Sequence, residues 1–364
     1  MKYFVYKPEI TEIEKKYVND CLESTWISSK GKYIDKFEKI VGDFTGSKFS
    51  CSVMNGTAAL HLALLSLGIG PGDEVISSDL TYIASTNAII FVGATPVLVD
   101  VNPLTWNIDI ESLKKNINKN TKAIIVTDLY GLPADYNSII SIAKEFGLKV
   151  IEDSAESLGA EYEERKAGNL ADVGILSFFG NKTITCGEGG MLLTDSEDIA
   201  IKAARIKNQG MSPDVRYFHD VLGYNFRMTN IQAAIGLAQI ERIEDILLRK
   251  RNIMNWYKKY LDSNLTFQFI PENCKSSFWM VSFLLPKREL RNPLINFLSE
   301  HQIETRPFFF PVQDMPFYES QNKNPNAYEL SGRGINVPSY PMLVEEDVKY
   351  ISEKINKFME NNCE

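Results

Sequence analysis

Three short stretches combine residue types that could carry chemistry. Asn55-Gly56-Thr57 stands before the run AALHLALL. A helix start exposes unpaired N–H groups and the positive end of the helix dipole. Glycine admits a ligand close to the backbone, and the threonine hydroxyl adds a donor, a set that suits a phosphate. A plain N-cap by Asn55 would use the same residues. Glu152-Asp153 ends the apolar run KVIED. A carboxylate at the end of a buried strand is costly unless paired. A protonated ring nitrogen would pair it, and so would neighbouring backbone N–H groups. Lys182 lies between the apolar ILSFF and the glycine-rich GEGG. Burial lowers a lysine's pKa and gives access to its neutral, nucleophilic form, which condenses with carbonyls. A solvated loop lysine is the plain alternative.

In that chain order the three stretches supply what holds pyridoxal phosphate: a helix start for the phosphate, a carboxylate for the pyridine nitrogen and an amine for the aldehyde carbon. Other chemistries find less support. Gly180-Asn181-Lys182-Thr183 lacks the spacing of a phosphate-binding P-loop, and no G-x-G-x-x-G occurs. The 3 His and 5 Cys are dispersed, with no C-x-x-C and no H-E-x-x-H, so no metal site is expected. This holds for Cys21, Cys51, Cys186, Cys274 and Cys363 alike. The 39 basic and 47 acidic residues give a net charge of -8, which disfavours a general nucleic-acid surface. The opening MKYFVYKPEITEIEKK carries charges and no apolar signal core, and no apolar run suits a bilayer. A cytoplasmic location with reduced thiols is the expectation.

The elements that must position these residues are legible as a pattern. Residues 9–24 have helical spacing, with Thr11 and Glu14 placed for a capping box. The segment 25–33, TWISSKGKY, reads as a loop. From about 50 to 200, β-branched runs at 74–77, 96–100, 122–127, 149–153, 173–178 and 191–194 alternate with helical stretches at 57–67, 82–92, 110–116 and 136–146. That alternation predicts a mostly parallel sheet covered on both faces, with ligands at the C-terminal ends of its strands. Thr229 and Gln232 open a long helical pattern reaching Leu261. An α+β pattern follows: strand-like 277–286, a helix near 288–301, extended 305–310 and a helix near 345–361. This suggests a large domain over 1–245 and a smaller C-terminal α+β domain over 246–364.

The motifs MNGTAALHLAL, GDEVI, TYIAS, GATPVLVD, VIEDSAESLGA, SFFGNKTITCGEGGMLLTD, GYNFRMTNIQAAIGLAQ and ETRPFFFPV extend over most of the chain. With them the sequence resembles the DegT/DnrJ/StrS family of pyridoxal-phosphate-dependent nucleotide-sugar aminotransferases. The resemblance implies the α/β aspartate aminotransferase-like fold and a homodimer with shared active sites. It makes Lys182 the cofactor-binding lysine and general base, Asp153 the partner of the pyridine nitrogen, and Glu156 a neighbour of the phenolic oxygen. Many relatives carry Gln where Glu156 stands. Gly56, Thr57 and Ser177 would bind phosphate, Tyr82 would stack on the ring, and Asn225 would reach the phosphate of the neighbouring subunit. The lysine argues against the dehydratase branch, which carries His. Within the family, STWISSKGKYI, SFFGNKTITCGEGG and GYNFRMTNI resemble enzymes that aminate C4 of GDP-4-keto-6-deoxymannose with L-glutamate as donor. Another nucleotide-linked keto sugar, or a cofactor-binding regulator, is the alternative. Ser28, Ser29, Lys30, Asn181 and Arg306 are the candidates for the sugar nucleotide; Lys30 as a solvated charge and Arg306 in a surface ion pair are their plain alternatives.

Overall fold

The computed structural model describes residues 1–262, 264–318 and 324–362; Cys363 lies outside them. Seven strands form the main sheet, in the order Phe49–Val53, Gly190–Thr194, Val173–Ser177, Lys149–Asp153, Thr121–Thr127, Glu74–Ser78 and Thr95–Val99. Every pairing is parallel except the two made by Gly190–Thr194, which runs against both of its neighbours. The mostly parallel sheet is thus as expected. Its register brings the strand ends Val53, Ser177, Asp153 and Thr127 to one edge, where the reversed strand begins at Gly190.

Helices cover both faces. Gly56–Ser66, Ala84–Phe91 and Glu197–Ile206 pack on one, and Tyr136–Phe146 on the other. Gly56–Ser66 is buried on nearly every side, which explains its lack of a polar stripe. A third cluster joins Glu12–Glu23, Lys32–Thr45 and Asn230–Ile240 to the sheet. There Phe37 packs edge-on against Phe178 at 5.0 Å with no exposure. Burial of such a ring is worth about 1.5–3 kcal/mol.

Both capping boxes form as the sequence predicts, at Thr11/Glu14 and Thr229/Gln232. The helical pattern after Thr229 is two helices, Asn230–Ile240 and Ile243–Tyr260. The break frees Arg242 to hold Glu9 at 2.9 Å and Glu14 at 2.8 Å. Burial raises the Glu14 carboxyl, but the Thr11 hydroxyl and the Arg242 guanidinium outweigh it and hold it at about 2.

Beyond this pair of helices lies a four-stranded antiparallel sheet, in the order Thr266–Phe267, Val281–Leu284, Gly334–Val337 and Arg306–Pro307. The extended stretches expected at 277–286 and 305–310 shrink to Val281–Leu284 and Arg306–Pro307. Helices Arg291–Glu300 and Glu345–Asn362 pack against this sheet, and Tyr3 from the N-terminal segment joins their core. Cys21, Cys51, Cys186 and Cys274 are buried and free. Among the described residues no His/Cys/Asp/Glu group could hold a metal ion, and no helix is long and apolar enough to cross a membrane.

Candidate active site

A cavity of about 440 Å³ opens at the C-terminal edge of the main sheet and is roofed by the second one. It is lined by Gly56, Thr57, Tyr82, Asp153, Glu156, Ser177, Asn181, Lys182 and Arg306. Nine residues singled out in the sequence, spread from 56 to 306, therefore meet in one place.

The helix start is built for close approach. Asn55 accepts the Ala58 N–H at 2.8 Å, which leaves the Gly56 and Thr57 N–H groups without intrahelical partners. A Cβ on Gly56 would lie 2.8 Å from the Ser177 Cβ, and one on Gly190 would lie 2.4 Å from the Asn55 carbonyl oxygen. Both glycines are demanded by the turn. Asn55 is an N-cap and the turn is also a cradle, so the two readings of this motif hold together.

Asp153 ends its strand almost wholly buried. Its Oδ2 accepts the Ser85 hydroxyl at 2.6 Å and its Oδ1 the Ala155 N–H at 3.2 Å. Burial raises the carboxyl above its ordinary value, against those donors and the Lys182 charge. Ser85, Thr127 and Thr81 extend a hydroxyl network behind it. Neither Ser85 nor Thr127 was singled out in the sequence. Their signal was position alone, on the helix and strand that face the Asp153 strand end.

Lys182 follows the strand Val173–Ser177 in a tight turn and points inward. Its Nζ lies 4.0 Å from Glu156 Oε1 and 4.0 Å from the centre of the Trp279 ring. Burial pushes the amine below the ordinary lysine range, while Glu156 and Asp153 pull it up. Glu156 is pushed up to about 7 by burial, against the Lys182 charge and the Tyr130 N–H, which donates to Oε2 at 2.8 Å. Tyr130 has a left-handed backbone, φ 56°. The main chain at the lysine is tied from afar. Tyr6 donates its hydroxyl to the Lys182 carbonyl, and the Trp279 indole N–H donates to the Asn181 carbonyl at 2.7 Å. The buried Asn181 Oδ1 has no hydrogen-bond partner among the described residues, so it offers an acceptor to whatever enters.

Tyr82 stands at the entrance beside Phe309, ring centres 5.7 Å apart. Arg306 lines the cavity and also meets Glu304 at 3.3 Å. Ser29 and Lys30 do not join this cavity. They line another one with Lys207, Arg216 and Arg227. Ser29 accepts from Arg227 at 3.2 Å, and Ser28 gives its carbonyl to the Asn230 N–H. Asn230 clamps the loop further, through the Trp26 carbonyl at 2.7 Å and the Tyr33 N–H at 3.0 Å. A Cβ on Gly31 would fall 2.3 Å from its carboxamide carbon. Asn225 pairs by a backbone bridge with Asn208 and is likewise outside the first cavity.

Pyridoxal phosphate fits the first cavity. A helix start with free N–H groups, a buried carboxylate, an inward lysine and an unpartnered buried acceptor match its phosphate, ring nitrogen, aldehyde carbon and hydroxyl or substrate edges. Fold and site together define a pyridoxal-phosphate-dependent aminotransferase with the aspartate aminotransferase-like fold. The chain belongs to the DegT/DnrJ/EryC1/StrS aminotransferase family, which its residues 8–356 match. It is 49% identical over 360 residues to the GDP-perosamine synthase of Escherichia coli O157:H7, covering 98% of this chain and 99% of that one. It is 43% identical to the GDP-perosamine synthase of Vibrio cholerae, over 99% of each. Among solved structures, the aminotransferase TlmJ from Streptoalloteichus hindustanus superposes with a TM-score of 0.95 at 26% identity, over 100% of both chains.

Proposed function

We propose that the enzyme transfers an amino group from L-glutamate to C4 of GDP-4-keto-6-deoxy-D-mannose, giving GDP-perosamine for O-antigen or related polysaccharide synthesis in the cytoplasm. The observation that carries this reading is the end-to-end identity with two GDP-perosamine synthases.

The bound cofactor supplies a carbon that exchanges amines and an electron-accepting ring. This chain's residues do the rest. Lys182 holds the cofactor, takes the proton from the donor's α-carbon on Nζ as general base, and returns it as general acid. Asp153, kept in place by Ser85, holds the proton on the ring nitrogen. Gly56, Thr57 and Ser177 bind phosphate, Tyr82 covers the ring, and Glu156 faces the phenolic oxygen. Asn181 and Arg306 face the sugar nucleotide. The nucleotide's negative charge is met by local cations and helix ends, so a net charge of -8 is no obstacle.

We also infer a homodimer with shared sites. Asn225, Ser28, Ser29 and Lys30 lie outside their own chain's cavity. The arm formed by residues 211–222, which lies between the helix Glu197–Ile206 and Asn225, leaves Val215, Tyr217, Phe218 and Leu222 exposed. A second copy covering that apolar arm would bring those four polar residues to its partner's cavity.

The test is a single turnover of the pyridoxamine form against GDP- and UDP-linked 4-keto-6-deoxy sugars. The GDP sugar should react faster by at least tenfold, about 1.4 kcal/mol of discrimination. Equal rates would defeat the GDP assignment.

A further inference from the structure

We propose that the indole face of Trp279 is the seat of the Lys182 ammonium whenever that amine is not covalently engaged, and that a second buried lysine, Lys250, positions the indole there. The proposal rests on the reading of Lys182 as the reactive lysine.

Trp279 is held at three points. Its carbonyl accepts from Lys250 Nζ at 2.7 Å. Its indole N–H donates to the Asn181 carbonyl, one residue from Lys182. Its ring stacks on Tyr130, whose own N–H holds Glu156. Gly131 permits the close approach of the Trp279 main chain: its φ is 99°, and a Cβ there would meet the Trp279 backbone nitrogen at 2.9 Å. Lys250 is 1% exposed. It also donates to the Ser339 carbonyl at 2.6 Å and approaches the Ser339 hydroxyl at 3.4 Å. Three oxygen acceptors around one nitrogen match the three N–H bonds of an ammonium. Lys250 does not line the cavity, so its service to the reaction runs through Trp279.

The chemistry gives the seat its use. When Nζ takes a proton from the donor's α-carbon, the C–H electron pair stays with carbon and the amine becomes an ammonium in a dry site. A charge over an aromatic face is stabilised most where water is excluded. Glu156 Oε1 faces the same Nζ at 4.0 Å, Asp153 acts on it through space, and Glu188 and Arg306 line the same cavity. The ring therefore supplements the carboxylates without adding a proton acceptor that competes for the transferred proton.

The experiment reads Lys182 protonation directly. Full-length protein stripped of cofactor is treated with an amine-reactive acylating reagent across a pH series, and Lys182 modification is followed by peptide mass spectrometry. Trp279→Phe and Trp279→Leu both lose the indole N–H and have similar bulk, but only Phe keeps a ring face. The Leu midpoint should lie about half to one pH unit below the Phe midpoint, the span expected of a partly desolvated cation–π contact. Site-specific fluorinated tryptophans at 279 keep the shape and drain the ring face, so they should lower the midpoint stepwise even if the Leu protein fails to fold. Lys250→Met should lower it too, with no further effect in combination with Trp279→Leu. Equal midpoints for Phe and Leu, or indifference to fluorination, would overturn the seat; additive effects would overturn the role of Lys250. Borohydride fixation of the cofactor on wild-type protein separates the two readings. Fixation away from Lys182 ends the reading of that lysine, and fixation on Lys182 with equal midpoints ends the indole proposal alone.

Discussion

Glu156 and Lys182 face each other at 4.0 Å across the cavity floor, the carboxylate 2% and the lysine 12% exposed. Neither is at ease. Burial drives the carboxyl up and the amine down, and each resists the shift of the other. Burial and opposite charge act on both groups at once, the setting in which a buried pair can take part in proton transfer.

Glu156→Gln should change the pH dependence of stability. The Glu156 carboxyl rises from 4.5 to about 7 on folding, so the folded chain holds that proton more tightly. Its stabilising contribution is full below about pH 4.5 and is lost as pH rises through 7. Glutamine has no proton to lose. Between pH 5 and pH 8 the cofactor-free wild-type protein should lose about 2–3 kcal/mol more stability than the variant. Calorimetric melting at the two pH values measures this, and equal losses would contradict it.

Asp153→Asn should leave the cofactor bound but slow the glutamate half-reaction by roughly 10²–10³-fold, the scale for removing one preorganised charge from a dry site. Ser85→Ala, which removes only the 2.6 Å donor, should slow it less, by about tenfold. Rapid-mixing absorbance with glutamate reads both rates. Near-normal turnover of the Asn variant would remove the assigned role.

Gly190→Ala places a methyl group 2.4 Å from the Asn55 carbonyl oxygen. The helix start must shift, and the variant should release its cofactor at least tenfold more readily, about 1.4 kcal/mol. Cofactor retention after gel filtration checks this. Unchanged affinity would show that the cradle is not the phosphate site.

Sharing of sites between subunits has a signature in mixtures. Lys182→Ala and Asn225→Ala proteins should each be inactive or nearly so alone. In a mixed dimer one of the two sites receives both intact residues. Random reassembly of equal amounts should therefore recover about a quarter of wild-type activity. No recovery after verified subunit exchange would place Asn225 in its own chain's site, or in none.

Much of this was legible in the sequence, for identifiable reasons. Lys149–Asp153 and Tyr136–Phe146 fall on the expected residues because a buried parallel strand and an amphipathic helix leave strong periodic signals. Phe49–Val53 escaped notice: FSCSV lies at the sheet edge, and its small polar residues give little hydrophobic pattern. Gly334–Val337 is too short for its period to register. At the site, the sequence pointed to the residues next to strand ends and helix starts. It did not point to Tyr6 or Trp279, which lie 176 and 98 residues from the groups they hold at the lysine turn. Lys250 sits in the charged run LRKRN, where nothing in the sequence sets it apart from its neighbours. Only the folded chain reveals the oxygens that surround it.

Burial lowers the pKa of two lysines, Lys182 and, to about 7, Lys250, and of the two Lys182 alone lines the cavity. The most direct measurement is borohydride reduction of the pyridoxal-phosphate-loaded protein followed by peptide mapping. The cofactor mass should appear on the peptide containing Lys182, and prior incubation with L-glutamate should abolish it. Label on Lys250 or on any other lysine, or labelling indifferent to glutamate, would contradict the account.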